Sequence, residues 1–338
     1  MIRIGINGFG RISRVVIRAI QDMNDFEIAA INIRNADLDY LAYMIRYDST
    51  FGRFNGTVER WEDKGLIING NKIPVYSKDI AADIPWNECN AEYIIDGTGA
   101  YNTTDKAMAH INAGAKKVII SAPAKDDITP TFVYGVNHEN YSKDMPIISN
   151  ASCTTNCLAP LCKILQDKFG IEGGLMSTIH SATSKQKVVD ARSMKDWRVG
   201  RSVFNNIIPT STGAAKAVGL VIPELQGKMT GISYRVPTQD VSVVDLNVIL
   251  KKSAEKEEIF DEIKRASSSY LKDIIEFVDD EVVSCDFIGC PTASIFDSRQ
   301  TVQLNDKIFK FVSFYDNEWG YSIQILRMIR HMADIDGK

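Results

Sequence analysis

Apolar runs and helix-spaced apolar positions alternate through the first 150 residues. Arg3 to Asn7 reads as a short buried strand, Gly8-Phe9-Gly10 as a glycine-rich turn, and Ile12 to Ile20 carries Val15, Val16, Ala19 and Ile20 at helical spacing. Glu27 to Ile31 returns as a second strand, completing a β-α-β unit of the size of a nucleotide-binding half-fold. Tyr93-Ile94-Ile95, Lys117 to Ile120 (after an amphipathic stretch from Asp105 to Ala113) and Pro146-Ile147-Ile148 fit further strands of the same sheet.

Beyond Cys153 the pattern changes to long alternating strands. Met229 to Val236, Val241 to Val248 and Ile308 to Tyr315 alternate as strands packed on one face, and Ala254 to Tyr270 reads as a helix covering them. Tyr321 to Met332 predicts a final helix with Ile325, Met328 and Ile329 on one side. The expected fold is α/β, a Rossmann-type doubly wound parallel sheet followed by a mixed α+β catalytic domain. Residues 1–150 are expected to bind a dinucleotide and residues 151–316 to form the catalytic domain, with 317–338 packing back on the cofactor domain as a C-terminal helix.

Composition narrows this picture. With 338 residues, 45% hydrophobic and 24% charged, and a net charge of -4, the chain reads as an ordinary globular protein with no basic surface for nucleic acid. The start lacks the apolar stretch and cleavage site of a secretory signal, and no run approaches the roughly 18 apolar residues of a membrane span, which predicts a cytoplasmic protein. The six cysteines show no close C-x-x-C pair and the four histidines are scattered, so neither a metal site nor a disulfide framework is expected.

Two segments carry candidate chemistry. Gly8-Phe9-Gly10-Arg11-Ile12-Ser13 is a G-x-G-x-x-S version of the dinucleotide fingerprint, placed directly after a strand and opening a helix whose N-terminus suits a pyrophosphate. At the end of the second strand, where an NAD site offers a carboxylate to the ribose, stand Asn32, Ile33 and Arg34. Losing an anion and gaining a cation suits a 2'-phosphate; the other reading makes Arg34 a solvated charge and leaves Asp37 or Asp39 to reach the ribose. Ser149 to Cys157 sets Cys153 among small hydroxyl residues at the start of an apolar helix. There backbone N–H groups or a nearby His lower a thiol pKa from about 8.5. A buried cysteine at a capped helix start gives the same bare Ser-Cys-Thr.

The ordered set Ile6 to Ile12, Ser149 to Cys157, Lys195 to Arg198, Ile207 to Pro209, Thr212 to Gly219, Arg235 to Thr238 and Tyr315 to Tyr321 resembles phosphorylating glyceraldehyde-3-phosphate dehydrogenase over nearly the whole chain. The resemblance implies Cys153 as nucleophile and His180 as general base. It implies Thr183 with Arg235 for the substrate phosphate, and Ser152, Thr154, Thr212 and Gly213 for the incoming inorganic phosphate. Asn317 resembles the residue that holds the nicotinamide carboxamide. Gly8, Gly10, Arg11, Ile12, Asn32, Ile33, Arg34, Thr98 and Ser121 fall at cofactor positions, and Ala191 and Arg192 on a loop that reaches a neighbouring subunit's cofactor in the family's homotetramer. NAD-using members usually read Asn-Asp where this chain has Asn32-Ile33, and carry a Pro shortly beyond the Asp matching Asp190, where this chain has Ala191-Arg192. Both departures favour NADP, or dual use, over strict NAD. Many members also carry a Tyr where Ala182 stands. The implied reaction oxidises glyceraldehyde 3-phosphate to 1,3-bisphosphoglycerate. The alternatives are erythrose-4-phosphate dehydrogenase, which releases its acyl group to water, and a secondary binding role.

Overall fold

The structure, a computed structural model, describes residues 1–194 and 196–337; Lys195, which opens one of the motif segments, and Lys338 lie outside the described residues. The chain divides into two compact units. The first comprises Met1–Phe132, His138–Ala151 and Ser322–Lys338, and the second Val133–Asn137 and Ser152–Tyr321.

In the first unit β1 (Ile2–Asn7) leads through α1 (Arg11–Ala19) to β2 (Phe26–Asn32) and α2 (Leu38–Arg46). A two-residue ladder, β3 (Tyr47–Asp48) with β4 (Gly52–Arg53), precedes a meander of β5 (Val58–Trp61), β6 (Gly65–Ile68) and β7 (Asn71–Tyr76). Then come β8 (Tyr93–Asp96), α3 (Thr104–Asn112), β9 (Lys117–Ile120) and β10 (Ile147–Ser149). The sheet order is β10-β9-β8-β1-β2-β7-β6-β5, parallel from β10 to β7 and antiparallel beyond. The chain leaves β1 for β2 on one side and returns to β8 on the other. That reversal opens a crevice at the carboxyl ends of β1, β2 and β8, where ligands of open α/β sheets bind.

Burial explains why β1 is read so clearly from sequence. Ile4 and Ile6 are fully buried, and Gly5 is glycine because a Cβ there would lie 2.6 Å from Ile94 and 2.7 Å from the Trp86 ring. Trp86 therefore packs closely against the β1 backbone.

In the second unit the order is α4 (Cys153–Lys168), β11 (Ile171–His180), β12 (Ile208–Ser211), α5 (Ala214–Val221), β13 (Met229–Arg235), β14 (Ser242–Leu250), α6 (Lys256–Ser268), β15 (Ile275–Val278), β16 (Ser294–Gln303) and β17 (Ile308–Tyr315). These strands form one mixed sheet, β12-β13-β11-β14-β17-β16-β15. Helices α4 and α6 cover one face through Leu158, Leu161, Leu165, Ile259 and Ile263, all fully buried. Along β14, Val244, Leu246, Val248 and Leu250 point into this core while Val243, Asp245, Asn247 and Ile249 point away, the period-two pattern of a sheet with one covered face. Helix α7 (Trp319–Asp336) closes the chain, and most of it belongs to the first unit.

Candidate active site

At the crevice of the first unit, strand register sets three polar residues side by side, Asn7 opposite Asn32 on β2 and opposite Asp96 on β8. Asn7 donates from Nδ2 to Asp96 Oδ2 at 2.8 Å, and Asn32 donates from Nδ2 to Asn7 Oδ1 at 2.9 Å. The fully buried His110 extends the network inward. Its Nδ1 accepts from Trp86 Nε1–H at 3.0 Å, so the ring proton sits on Nε2, 3.2 Å from Asp96 Oδ2. Asp96 Oδ1 in turn accepts from the Thr98 N–H and hydroxyl at 3.1 and 2.8 Å. Four buried polar side chains thus satisfy one another and fix the loops that leave the three strands.

Those loops line a cleft of about 360 Å³ with Gly8, Phe9, Gly10, Asn32, Ile33, Arg34, Lys78, Asp79, Thr98 and Tyr101 on its walls. Gly8 has φ 98°, and a Cβ there would press on Thr98 and Gly97 at 3.1 to 3.2 Å. Gly10, at the N-cap of α1, brings no side chain to cap the first turn, so the open N–H groups of that turn remain for a ligand. Serine replaces the third glycine of the fingerprint without penalty because Gly97 faces it: a Cβ at 97 would sit 2.6 Å from Ser13 Oγ. Glycines that allow close approach and open helix N–H groups suit this cleft to a phosphate-bearing ligand.

Several expected cofactor residues behave differently from one another. Arg34 is exposed on the rim beside Ile33 and Lys78. The carboxylates of the competing reading are engaged elsewhere: Asp37 caps α2 by accepting from Tyr40 N–H at 3.1 Å, and Asp39 pairs with Arg60 at 2.6 Å. Neither lines the cleft, whereas Asp79 does. Arg11 turns its guanidinium to Asp48 and over the Phe51 ring, so its side chain braces α1 rather than facing the cleft. Ile12 and Ser121 also lie outside the cleft lining, and Ser121 Oγ is buried without a hydrogen-bond partner.

In the second unit, Cys153 opens α4 and His180 closes β11. Ser152 caps α4, its Oγ accepting from Thr155 N–H at 3.1 Å, so the helix begins at the cysteine. Cys153 Sγ lies 3.5 Å from His180 Nε2. His180 Nδ1 is 2.9 Å from the Ser181 carbonyl, a contact only an N–H can make. The proton therefore sits on Nδ1, and the Nε2 lone pair faces the thiol. Burial, reinforced by the Arg235 charge, pushes the imidazole down to about 3, so the resting ring is neutral. Burial pushes the Cys153 thiol up, while the Arg235 charge, the Thr154 hydroxyl and the N–H groups of Thr154 and Cys153 pull it back toward the thiolate. The pair rests as thiol and imidazole, poised for a proton to pass between them.

Parallel pairing of β11 with β13 puts Arg235 directly beside His180. Its Nε and Nη1 are buried without any hydrogen-bond partner. Orphaned donors on a half-buried cation call for an anionic ligand. Thr183 Oγ1 donates to Gln186 Oε1 at 2.8 Å, and Thr212 Oγ1 accepts from Ala214 N–H at 3.2 Å just before α5, whose N-cap is Gly213. The starts of α4 and α5 adjoin through Thr155 Oγ1 and the Ala214 carbonyl, 3.4 Å apart, so two helix N-termini lie together. Thr154 is buried, and its hydroxyl shares a 2.7 Å hydrogen bond with Tyr315 OH; side chain and backbone both favour the thiolate of the adjoining Cys153.

Tyr315 is the residue sequence reasoning missed here. Its OH also bonds Thr178 Oγ1 at 2.9 Å, and its ring stands edge-on to His180 at 6.0 Å, bracing the start of α4 and the end of β11 from one point. Position gave a hint, since Tyr315 opens one of the motif segments, but nothing in its spacing points to Thr154 or Thr178. Cys157 is a structural cysteine: it is fully buried, and burial pushes its thiol up to about 12. Asn317 lies buried near His180's neighbour Ser181, while Ala191 and Arg192 are exposed, Arg192 Nε lying 3.1 Å from Met194 Sδ. Among the described residues no group of three or more His, Cys, Asp or Glu is placed to hold a metal, and no helix is long and apolar enough to cross a membrane.

Comparison with known proteins gives consistent matches. A family model described as the NAD binding domain of glyceraldehyde 3-phosphate dehydrogenase matches residues 2–104, and one for the C-terminal domain of the same enzyme matches residues 152–317. The chain is similar to glyceraldehyde-3-phosphate dehydrogenase of Bacteroides fragilis, with 55% identity over 335 residues covering 98% of this chain and 99% of the relative. It is 53% identical to glyceraldehyde-3-phosphate dehydrogenase 2 of Mucor circinelloides, covering 99% and 98%. A chloroplastic glyceraldehyde-3-phosphate dehydrogenase of Arabidopsis thaliana is 52% identical, covering 98% of this chain and 78% of the relative.

Proposed function

Because the chain belongs to the glyceraldehyde-3-phosphate dehydrogenase family, we propose that it is a cytoplasmic enzyme that oxidises glyceraldehyde 3-phosphate to 1,3-bisphosphoglycerate through a thioester on Cys153. It is an oxidoreductase with a nicotinamide cofactor. The observation that carries the mechanism is the 3.5 Å approach of Cys153 Sγ to His180 Nε2, with the ring proton held on the far nitrogen.

On this reading Arg235, whose Nε and Nη1 have no partner, takes the substrate phosphate together with Thr183. Sγ gives its proton to Nε2 and attacks the aldehyde carbon, the N–H of Cys153 steadies the oxyanion that forms, and Nε2 returns the proton to it, giving the hemithioacetal hydroxyl and a neutral imidazole. A bound oxidised nicotinamide cofactor, held through the cleft around Gly8, Gly10 and Thr98, would supply the acceptor for the hydride on this carbon. His180 holds the hydroxyl proton that departs with it, leaving a thioester. Inorganic phosphate, held at the adjoining helix starts by Ser152, Thr212 and Gly213, attacks the acyl carbon, expels the Cys153 thiolate and yields the acyl phosphate. Cys153, His180 and Arg235 are the residues on which the chemistry rests.

The cofactor preference follows from the rim of the cleft. Arg34 and Lys78 stand beside Ile33, and the nearby Asp37 and Asp39 are engaged elsewhere, which supports NADP. Asp79 leaves a carboxylate for the unphosphorylated ribose, which supports dual use. Initial rates with glyceraldehyde 3-phosphate are expected to need inorganic phosphate, with NADP at least as effective as NAD by kcat/KM. An Arg34→Glu variant is expected to shift the NADP/NAD ratio by about 10- to 100-fold, the worth of a charge-assisted hydrogen bond lost to repulsion. Turnover that ignores phosphate would point instead to an enzyme releasing its acyl group to water. A wild-type preference for NAD that Arg34→Glu leaves untouched would remove the NADP reading.

A homotetramer is part of the same proposal. The loop after β11 exposes Val188, Val189, Met194 and Trp197, the last at 85%, and the uncovered sheet face exposes Leu175, Ile232 and Ile249. So much apolar surface on one chain supports burial against further copies. Analytical ultracentrifugation should find four chains per particle; a monomer at micromolar concentration would contradict this.

A further inference from the structure

Asn317 lies against two hydroxyl groups in the second unit. Its Oδ1 accepts from Ser181 Oγ at 2.9 Å and from Ser242 Oγ at 2.6 Å, and both serines are fully buried. Ser242 Oγ also accepts from the Ser181 N–H at 3.0 Å. A hydroxyl that already receives one N–H must send its single proton elsewhere, and Asn317 Oδ1 is the acceptor within reach. With the amide turned over, Ser242 Oγ would face an N–H donor on two sides and its own proton would be buried without an acceptor. The network therefore selects one of the two amide orientations that are otherwise interchangeable. The NH2 of Asn317 has no hydrogen-bond partner among the described residues and remains to donate. Val241, a β-branched residue at φ 59°, immediately precedes Ser242, so the backbone is held in a disfavoured conformation where it delivers that hydroxyl.

We propose that Ser181 and Ser242 are positioning residues that hold the Asn317 amide with its oxygen inward and its NH2 outward, so that the site reads the carbonyl oxygen of the cofactor's carboxamide and not its NH2. The inference rests on the nicotinamide-dependent reading above. Ser181 then serves twice, its hydroxyl orienting Asn317 and its carbonyl holding the His180 Nδ1 proton. Cofactor orientation and base tautomer are set by one residue.

The test compares the ordinary cofactor with its 3-acetylpyridine analogue, which keeps the carbonyl and replaces the NH2 by a methyl group. In Ser181→Ala/Ser242→Ala the amide is free to turn and present its oxygen, for which the analogue has no donor. The ratio of kcat/KM for analogue over parent cofactor is expected to fall about tenfold relative to wild type, the effect of one hydrogen bond. Ser242→Thr, which keeps a hydroxyl, is expected to restore the wild-type ratio. Iodoacetamide alkylation of Cys153 without cofactor reports that each variant is folded; if the double variant is not, Ser242→Ala alone decides by the same ratio. A ratio that stays constant while both cofactors weaken together overturns the positioning role. A wild-type protein that reduces neither cofactor overturns the dehydrogenase reading instead.

Discussion

Cys153→Ser is expected to lower kcat for glyceraldehyde 3-phosphate by about 10⁴-fold or more while leaving cofactor affinity within about twofold. The substitution keeps size and the start of α4, so the helix cap made by Ser152 and its partner Thr155 is retained. What changes is the proton. A thiol is intrinsically far more acidic than an alcohol, and although burial pushes Cys153 up, Arg235, the Thr154 hydroxyl and two backbone N–H groups oppose that penalty. A serine hydroxyl in the same place is several orders of magnitude less acidic than a thiol and stays protonated at rest, so almost no anion forms to attack the aldehyde. Stopped-flow measurement of cofactor reduction, with equilibrium titration of the cofactor, checks both halves. Retention of more than about one-hundredth of the wild-type rate would move the nucleophile elsewhere.

His180→Gln is expected to lower kcat by about 10²- to 10⁴-fold, the usual contribution of a positioned general base. Glutamine keeps polarity at the end of β11 but cannot accept the proton at the nitrogen facing Sγ. The same variant should slow alkylation of Cys153 at neutral pH and carry the profile to higher pH, because the proton's destination is gone while the burial that raises the thiol remains. If the rate falls while the alkylation profile stays in place, His180 acts on the hydride step alone and not in activating the thiol.

The sequence made the first unit's parallel strands plain because they are buried on both faces. Lys117–Ile120 and Ile308–Tyr315 were read to the residue, and the ends of β1 and β2 within one. The covering helix is shorter than its pattern, Lys256–Ser268 instead of Ala254 to Tyr270, since Glu255 and Glu258 form a capping box that sets its start. The meander from Val58 to Tyr76 escaped notice: its strands are short, and Gly65 and Pro74 interrupt their pattern. Helix α2 escaped because Tyr40 and Tyr43 turn outward, leaving only Leu41, Ala42 and Ile45 to mark its buried side.

The site was legible where chemistry sits in a local motif and illegible where it is assembled across the chain. Gly8, Gly10 and Cys153 announce themselves by their neighbours. His110, Tyr315, Ser181 and Ser242 do not, because a polar residue inside an apolar strand or helix looks like noise until its partner 75 or 161 residues away is known. Arg34 shows the opposite limit. Its meaning depends on what the nearby carboxylates do, and only their hydrogen bonds to Tyr40 N–H and Arg60 release it. Arg11, which the fingerprint placed among cofactor residues, turns its side chain to Asp48 because that carboxylate is buried and needs a cation.

The central claim is a covalent acyl group on Cys153 that phosphate removes. Mixing the protein with glyceraldehyde 3-phosphate and oxidised cofactor in phosphate-free buffer, then quenching in acid for intact-mass and peptide analysis, tests it most directly. The account predicts one phosphoglyceryl group per active chain, mapped to Cys153, formed with an equal burst of reduced cofactor and lost within a turnover when phosphate is added. Cofactor reduction that runs past one equivalent without phosphate and leaves Cys153 unmodified would contradict it.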